Sequence, residues 1–230
     1  MFPHHENEIA QTCSISENKD PKDFATYWFH NGFVNVEGEK MSKSIGNIRL
    51  VHDLKKKYKG EVLRLTLLSA HYKQPLNWTE EIIEQNSKMI DRLYRVLLEL
   101  SEVEIDSNLP SDSIMESFLD DLNTPKVIAK LNEEANDASS ASDERKKEIK
   151  KNLLSAGKIL GILEDDPGNW LGYNQKDTEN TEEIERLINE RNEARRSKNF
   201  NLADTIRDTL KDKGIEIEDT DKGTIWRKSR

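Results

Sequence analysis

One cysteine, Cys13, in a chain of 230 residues excludes an intrachain disulfide. A reducing compartment is the simplest setting for such a chain. Long apolar runs are also missing: no stretch approaches the roughly 20 residues a membrane-crossing helix needs, and the opening MFPHHENE lacks the apolar centre of a secretory signal. These absences predict a soluble, cytoplasmic protein with no membrane partner. Aromatic residues make up only 7%, and hydrophobic residues match charged ones at 34% each. That balance suits exposed amphipathic helices better than a thick buried sheet, so a mainly helical protein is expected. Positive charge is in deficit, with a formal net charge of -9. Indiscriminate nucleic-acid binding is thereby disfavoured, because it draws on phosphate neutralisation. The lysines and arginines that are present cluster at 55–59, 191–198 and 226–230. An RNA contact would have to be local, made by basic faces on an acidic body.

Punctuation along the chain divides it. A helix is predicted over His4–Gln11 after Pro3, and a second from Asp20-Pro21 to Gly32, with proline at the first turn and glycine past the last. Residues 33–36 alternate like a short strand, and the opening segment reads as the end of an α/β unit. Residues 50–71 are helical in pattern. Thr79 can cap a long helix with Glu80 and Glu81 in its first turn, along which Ile82, Ile83, Met89, Ile90, Leu93, Val96, Leu97 and Leu100 form one apolar stripe. Helices over 115–119, 126–136 and 144–163 complete an antiparallel bundle. Residues 164–182, rich in Pro, Gly and polar side chains, read as a linker. Helices at 182–198 and 202–213, stopped by Gly214, precede a hairpin made of IEIE and GTIW and turned through Asp221-Lys222-Gly223.

Two stretches carry chemistry. In HHENE, His4 and Glu8 stand four apart, one helical turn, and can both face one zinc ion. Two ligands are not a site, and Cys13 is off that face. The plain alternative is a solvated helix start. In GEKMSKSIGN, residues 38–47, Lys40 and Lys43 with Ser42 and Ser44 can surround a triphosphate and stabilise charge growing on a leaving pyrophosphate. Gly38 and Gly46 would let the loop close and reopen. Here the plain alternative is an exposed basic loop.

KMSKS followed by IGN resembles the second signature of class I aminoacyl-tRNA synthetases. With FPHHENEIAQ before it, SAHYKQPLNW after it, DDLNTP at 120–125 and the tail from Ala194 to Lys228, the resemblance narrows to the cysteinyl-tRNA synthetase family and covers essentially the whole chain. The resemblance implies a mainly α protein. Residues 1–48 would be a remnant of the Rossmann-like catalytic domain bearing the KMSKS loop, and 49–80 a helical stem-contact region. A DALR-like bundle over 81–165, a linker over 166–181 and a small α+β anticodon-binding unit over 182–230 would follow.

It also implies ATP-dependent activation of L-cysteine and its transfer to tRNA(Cys) by a monomer, with ATP bound as its Mg2+ complex. Lys43, helped by Lys40, would act on ATP within the loop Lys40, Met41, Ser42, Lys43 and Ser44. Zn2+, one per full-length subunit, would be held by His4 and Glu8 with two cysteines that lie before HHENE in the family. A soft thiolate prefers zinc to a serine hydroxyl, which would separate the two amino acids. The other nucleotide signature, His-x-Gly-His, is not in this sequence, so these residues resemble the C-terminal portion of the enzyme and are expected to be inactive alone. Arg195, Asp204 and Asp219 would contact anticodon bases, and Phe200 stands where the family often has tryptophan. The plain alternative is an Arg195–Asp204 ion pair across two helices. A stand-alone tRNA-binding module is the second reading. A ligase joining cysteine to an amino sugar is the third, disfavoured by the anticodon-type tail.

Overall fold

The computed structural model describes residues 3–15, 20–107, 109–173, 181–220 and 223–228. The chain is mainly α, as its composition predicts. Helix α1, His4–Ile15, opens after Pro3 and runs a turn past its expected end. The helix expected from Asp20 to Gly32 does not form. Asp20 caps a single 3-10 turn, Pro21–Asp23, and no helix follows it. Thr26, Tyr27, Trp28 and Phe29 are β-branched or aromatic and favour helix weakly. They present no buried stripe either, with Tyr27 91% exposed. Gly32 instead donates its amide to the Tyr72 carbonyl at 2.7 Å.

The expected strand is β1, Val34–Val36. It pairs antiparallel with β2, Glu39–Lys40, and parallel with β3, Leu76–Trp78, in the order β2-β1-β3. Strand β3 is a correction to the all-helical reading of 49–80. Its Leu76 and Trp78 are buried while Asn77 is exposed, the period-two pattern of a strand. The helical pattern over 50–71 is likewise two helices, α2, Val51–Leu54, and α3, Gly60–Leu68. The break falls in the lysine run, where only Tyr58 packs against the main core. Lys59 turns extended there and sends its ammonium to the Trp170 carbonyl at 2.7 Å and over the Trp170 ring at 3.8 Å.

Helix α4, Glu80–Glu99, is the predicted long helix, and the Thr79 hydroxyl accepts from the Ile82 amide at 3.2 Å. Ile83, Ile90, Leu93, Tyr94, Val96 and Leu97 line its buried side. Helices α5, Asp112–Leu119, α6, Thr124–Asp137, and α7, Asp143–Leu160, build the bundle on it. They start three, two and one residues earlier than apolar spacing suggests, and for α6 and α7 polar residues set the start: the side chains of Asn123 and Ser142 cap them. Helix α7 stops three residues short of Leu163. Gly161 adopts φ 67°, and the Ile162 amide closes back on the Gly157 carbonyl at 2.9 Å, a Schellman ending.

The stretch expected as a linker over 166–181 begins as packed structure. Asp166 caps α8, Pro167–Leu171, and Trp170, Leu171 and Tyr173 are buried in the main core. Large apolar side chains there gain more from burial than Pro and Gly content suggests. Residues 174–180 of that expected linker lie outside the described residues. Beyond them, α9, Thr181–Arg196, α10, Phe200–Asp212, β4, Ile215–Thr220, and β5, Gly223–Lys228, enclose a separate small core of Ile184, Ile188, Ile206, Leu210, Ile215 and Trp226. The hairpin pairs Ile217 with Trp226 as its alternation predicts. The expected turn residues Asp221 and Lys222 lie outside the described residues.

Candidate functional site

The KMSKS loop grows out of the β1–β2 hairpin. Glu37 and Gly38 make the turn in left-handed conformation, φ 51° and 84°, and the Gly38 amide donates to the Asn77 side chain at 2.8 Å. Past Lys40 the chain is anchored by Met41, half-buried against the main core, with its amide donating to the Val34 carbonyl at 3.2 Å. Asn47 then staples the loop's two ends. Its side-chain oxygen accepts from the Ser42 amide at 2.9 Å, and its nitrogen donates to the Lys40 carbonyl at 3.3 Å. The Ser42 and Ser44 hydroxyls lie 3.1 Å apart. Gly46, at φ 74°, closes the tip on the Lys43 carbonyl.

The two lysines are placed differently. Lys40 extends its ammonium over the Phe33 ring at 4.1 Å, a cation–π contact that holds it near the hairpin. The Lys43 side chain is exposed and its ammonium has no hydrogen-bond or ion-pair partner among the described residues. A closed backbone frame presenting an uncommitted cation can receive an anionic group without reorganising. Asn47 belongs to the quoted loop but drew no role from the sequence. An asparagine directly after glycine at a loop's end was the available signal.

His4 and Glu8 both lie exposed on α1, one turn apart. The neighbouring His5 turns inward instead, its ring 5.0 Å from His30 and 5.1 Å from Trp28, with Nδ1 buried and unpartnered. Burial, then the nearby amino terminus and His30, lower its pKa. Zinc asks for three or four convergent donors, and no group of three His, Cys, Asp or Glu side chains able to hold a metal occurs among the described residues. His4 and Glu8 therefore do not fit a zinc ion by themselves, and no chemical step is assigned through one.

The C-terminal unit joins two of its four expected base-contacting residues, Arg195 and Asp219, to a fifth, Arg191. Asp219 on β4 accepts two bonds from the Arg191 guanidinium, at 2.8 and 2.9 Å, and a further one from Arg195 on the next turn of α9. The Thr224 hydroxyl adds another at 2.7 Å. Arg191, with Thr224 and Arg195, holds the Asp219 carboxyl far below the usual carboxylate range. Arg195 thus pairs with Asp219 and not with Asp204. Asp204 is exposed on α10 near enough to Arg191 for their charges to interact. Phe200 begins α10 with its side chain 60% exposed, a flat apolar face available for stacking. Arg191 was missed although it opens the basic run at 191–198. Its burial, with 7% of the side chain exposed, depends on the hairpin folding over α9 and leaves no mark in the sequence.

Residues 1–88 match the family model described as the tRNA synthetases class I (C) catalytic domain. Residues 177–227 match that of the cysteinyl-tRNA ligase anticodon binding domain. The chain belongs to the cysteine–tRNA ligase family. It is 47% identical over 231 residues to a protein of Parvibaculum lavamentivorans named cysteine–tRNA ligase, covering 99% of this chain and 49% of that one. Similar matches run to proteins of the same name from Maricaulis maris, at 43% over 229 residues with 99% and 49% covered, and Rickettsia bellii, at 44% over 232 residues with 99% and 48% covered. The chain spans about half the length of the curated relatives it matches. The family is one of aminoacyl-tRNA ligases, ATP-dependent enzymes of protein synthesis. No helix among the described residues is long and apolar enough to cross a membrane.

Proposed function

We propose that these residues serve a cysteine–tRNA ligase, supplying the pyrophosphate side of its adenylate-forming site and its anticodon reader. The observation that carries the reading is the stapled KMSKS loop with its uncommitted Lys43. In the proposed first step the carboxylate of L-cysteine attacks the α-phosphorus of ATP, the bond to the bridging oxygen breaks, and pyrophosphate leaves. Negative charge grows on the leaving group, and Lys43 meets it while Lys40 assists from its seat on Phe33. In the second step the terminal ribose hydroxyl of tRNA(Cys) attacks the cysteinyl carbonyl and AMP leaves. Mg2+ accompanies ATP. His4 and Glu8 would join a zinc shell only if further ligands completed it.

Residues 1–48 then belong to the catalytic domain, 49–80 to the stem-contact region, 81–165 to the bundle and 182–230 to the anticodon unit of a cytoplasmic monomer. Arg195, Phe200, Asp204 and Asp219 form the face offered to the anticodon, with base edges read by hydrogen bonds and Phe200 stacking. The test is binding of the purified chain to a cysteine tRNA transcript and to one with an altered anticodon, at fixed salt. Tighter binding to the unaltered anticodon is expected, and equal or absent binding would overturn the anticodon assignment. A second reading, a tRNA-binding module without catalysis, draws support from the C-terminal unit's own closed core.

A further inference from the structure

Two stretches that carry the family resemblance have no role in the chemistry above: SAHYKQPLNW at 69–78 and DDLNTP at 120–125. Some 50 residues apart in sequence, they meet in the fold. The Asp121 carboxylate accepts from the Tyr72 phenol at 2.7 Å and from the Lys73 ammonium at 2.5 Å. Its backbone oxygen lies 3.0 Å from His71 Nε2. One turn of chain away, the Thr124 hydroxyl donates to the Leu68 carbonyl at 2.7 Å, tying the same turn to the end of α3. Asp121 and Leu122 both take φ 54°, the only consecutive non-glycine pair in the left-handed region among the described residues. Leucine rarely adopts that conformation unless its surroundings impose it. The bonds to Lys73 and Tyr72 also depress the Asp121 carboxyl and raise the Lys73 ammonium.

The segment held in this way is the one against which the loop-bearing hairpin is built. Tyr72 accepts the Gly32 amide at 2.7 Å and stacks on Phe29 at 4.1 Å between ring centres. The Leu76 amide donates to Phe33 at 2.9 Å, and β3 then runs parallel to β1 in register from Val34–Leu76 to Val36–Trp78. Asn77 receives the Gly38 amide at the hairpin turn. Residues 71–78 are therefore fastened at one end to the bundle's α5–α6 turn and along the rest of their length to the hairpin that ends in the KMSKS loop.

We propose that Asp121 is a positioning residue for the nucleotide-facing loop: by clasping His71, Tyr72 and Lys73 it fixes segment 71–78, and through β1 and β2 it sets where Lys43 stands relative to the helical bundle. Asp121 touches no substrate in this role. The importance of the position for catalysis rests on the ligase reading, but the clasp itself does not.

The test is peptide-resolved hydrogen exchange on the 230-residue chain and on Asp121→Asn, Lys73→Met and Lys73→Arg. Asparagine tolerates the left-handed backbone, so the first variant removes the charge alone. In Asp121→Asn and Lys73→Met, peptides containing the Gly32, Met41 and Leu76 amides are expected to exchange at least about fivefold faster, with α4 and α7 unchanged. Lys73→Arg, which can still donate to Asp121, should match the parent chain. Unaltered exchange over 32–46 in both disrupting variants would overturn the proposal. So would a rise shared equally by α4 and α7, the mark of general destabilisation. No nucleotide or tRNA enters the measurement, so its failure is separate from failure of the ligase reading.

Discussion

The Tyr94 phenol donates to the Glu61 carboxylate, 3.0 Å from Oε2, and accepts the Asp165 amide at the same distance. Glu61 also receives the backbone amides of Leu163 and Glu164 at 2.8 and 3.1 Å. One carboxylate on α3 thus gathers the turn after α7 and a fully buried phenol of α4. The Tyr94 ring stacks on Trp170 with centres 4.6 Å apart, while burial pushes its phenol pKa upward.

Glu61→Ala would leave two amides and a phenol without an acceptor. A loss of about 2–3 kcal/mol in folding free energy is expected, against about 1 kcal/mol for Tyr94→Phe, which keeps the packing. Urea unfolding followed by far-UV circular dichroism measures both. Equal and negligible effects would show that water replaces Glu61 at no cost.

Gly32 is packed so closely that a Cβ would sit 2.2 Å from the Gln74 carbonyl oxygen, which is backbone and cannot swing away. Gly32→Ala is expected to cost about 1–3 kcal/mol and to loosen the β1–β3 pairing. Thermal melting reads the cost. A melting temperature equal to that of the parent chain would mean the hairpin relocates freely.

Arg191 and Arg195 share one carboxylate but not one role. Arg191→Ala should destabilise the C-terminal unit by about 1–2 kcal/mol, since it removes a pair of charged hydrogen bonds to a half-exposed partner. Arg195→Ala should leave folding within about 0.5 kcal/mol and weaken tRNA binding. Parallel melting and filter-binding titrations separate the two, and the reverse pattern would exchange the assignments.

The same unit should lose stability at low pH, and its bond to the main core through Tyr173 and Glu218 should weaken at high pH. Asp219 has a depressed folded pKa, so its contribution is complete above the ordinary aspartate value of about 4 and fades as pH falls below it. Tyr173 behaves oppositely. Burial first, then its bond to Glu218, pushes its phenol up to about 12, so its contribution is complete below the ordinary value of about 10 and is lost as pH rises towards 12. Trp226, buried in the unit's core, gives a fluorescence signal for the titration. Asp219→Asn should flatten the acid limb, and an unchanged limb would assign it to other carboxylates.

Local signals were legible wherever neighbours in sequence decide structure. Thr79 capping α4, Gly214 ending a helix, and the alternation of β4 and β5 were all readable, because caps, left-handed glycines and period-two patterns are settled within a few residues. The KMSKS loop was legible as a loop and as a pair of cations. The readings that failed depended on partners far along the chain. Residues 76–78 are a strand because β1, some forty residues earlier, pairs with them, and Gly32 leaves its expected helix end to donate its amide to Tyr72. Trp170 is buried because Lys59, Asp91 and Tyr94 surround it.

What the sequence alone determined is a mainly helical chain with a basic signature loop near one end, a hairpin-bearing unit with clustered basic residues at the other, and the order of motifs that marks the family. Tertiary structure alone decided which lysine stays uncommitted, which arginine is buried beneath Asp219, and that Asp121 closes on Tyr72 and Lys73. Those outcomes depend on distances between segments tens of residues apart. Hydrogen bonds and ion pairs act over a few ångströms, so only the folded chain can bring such groups together.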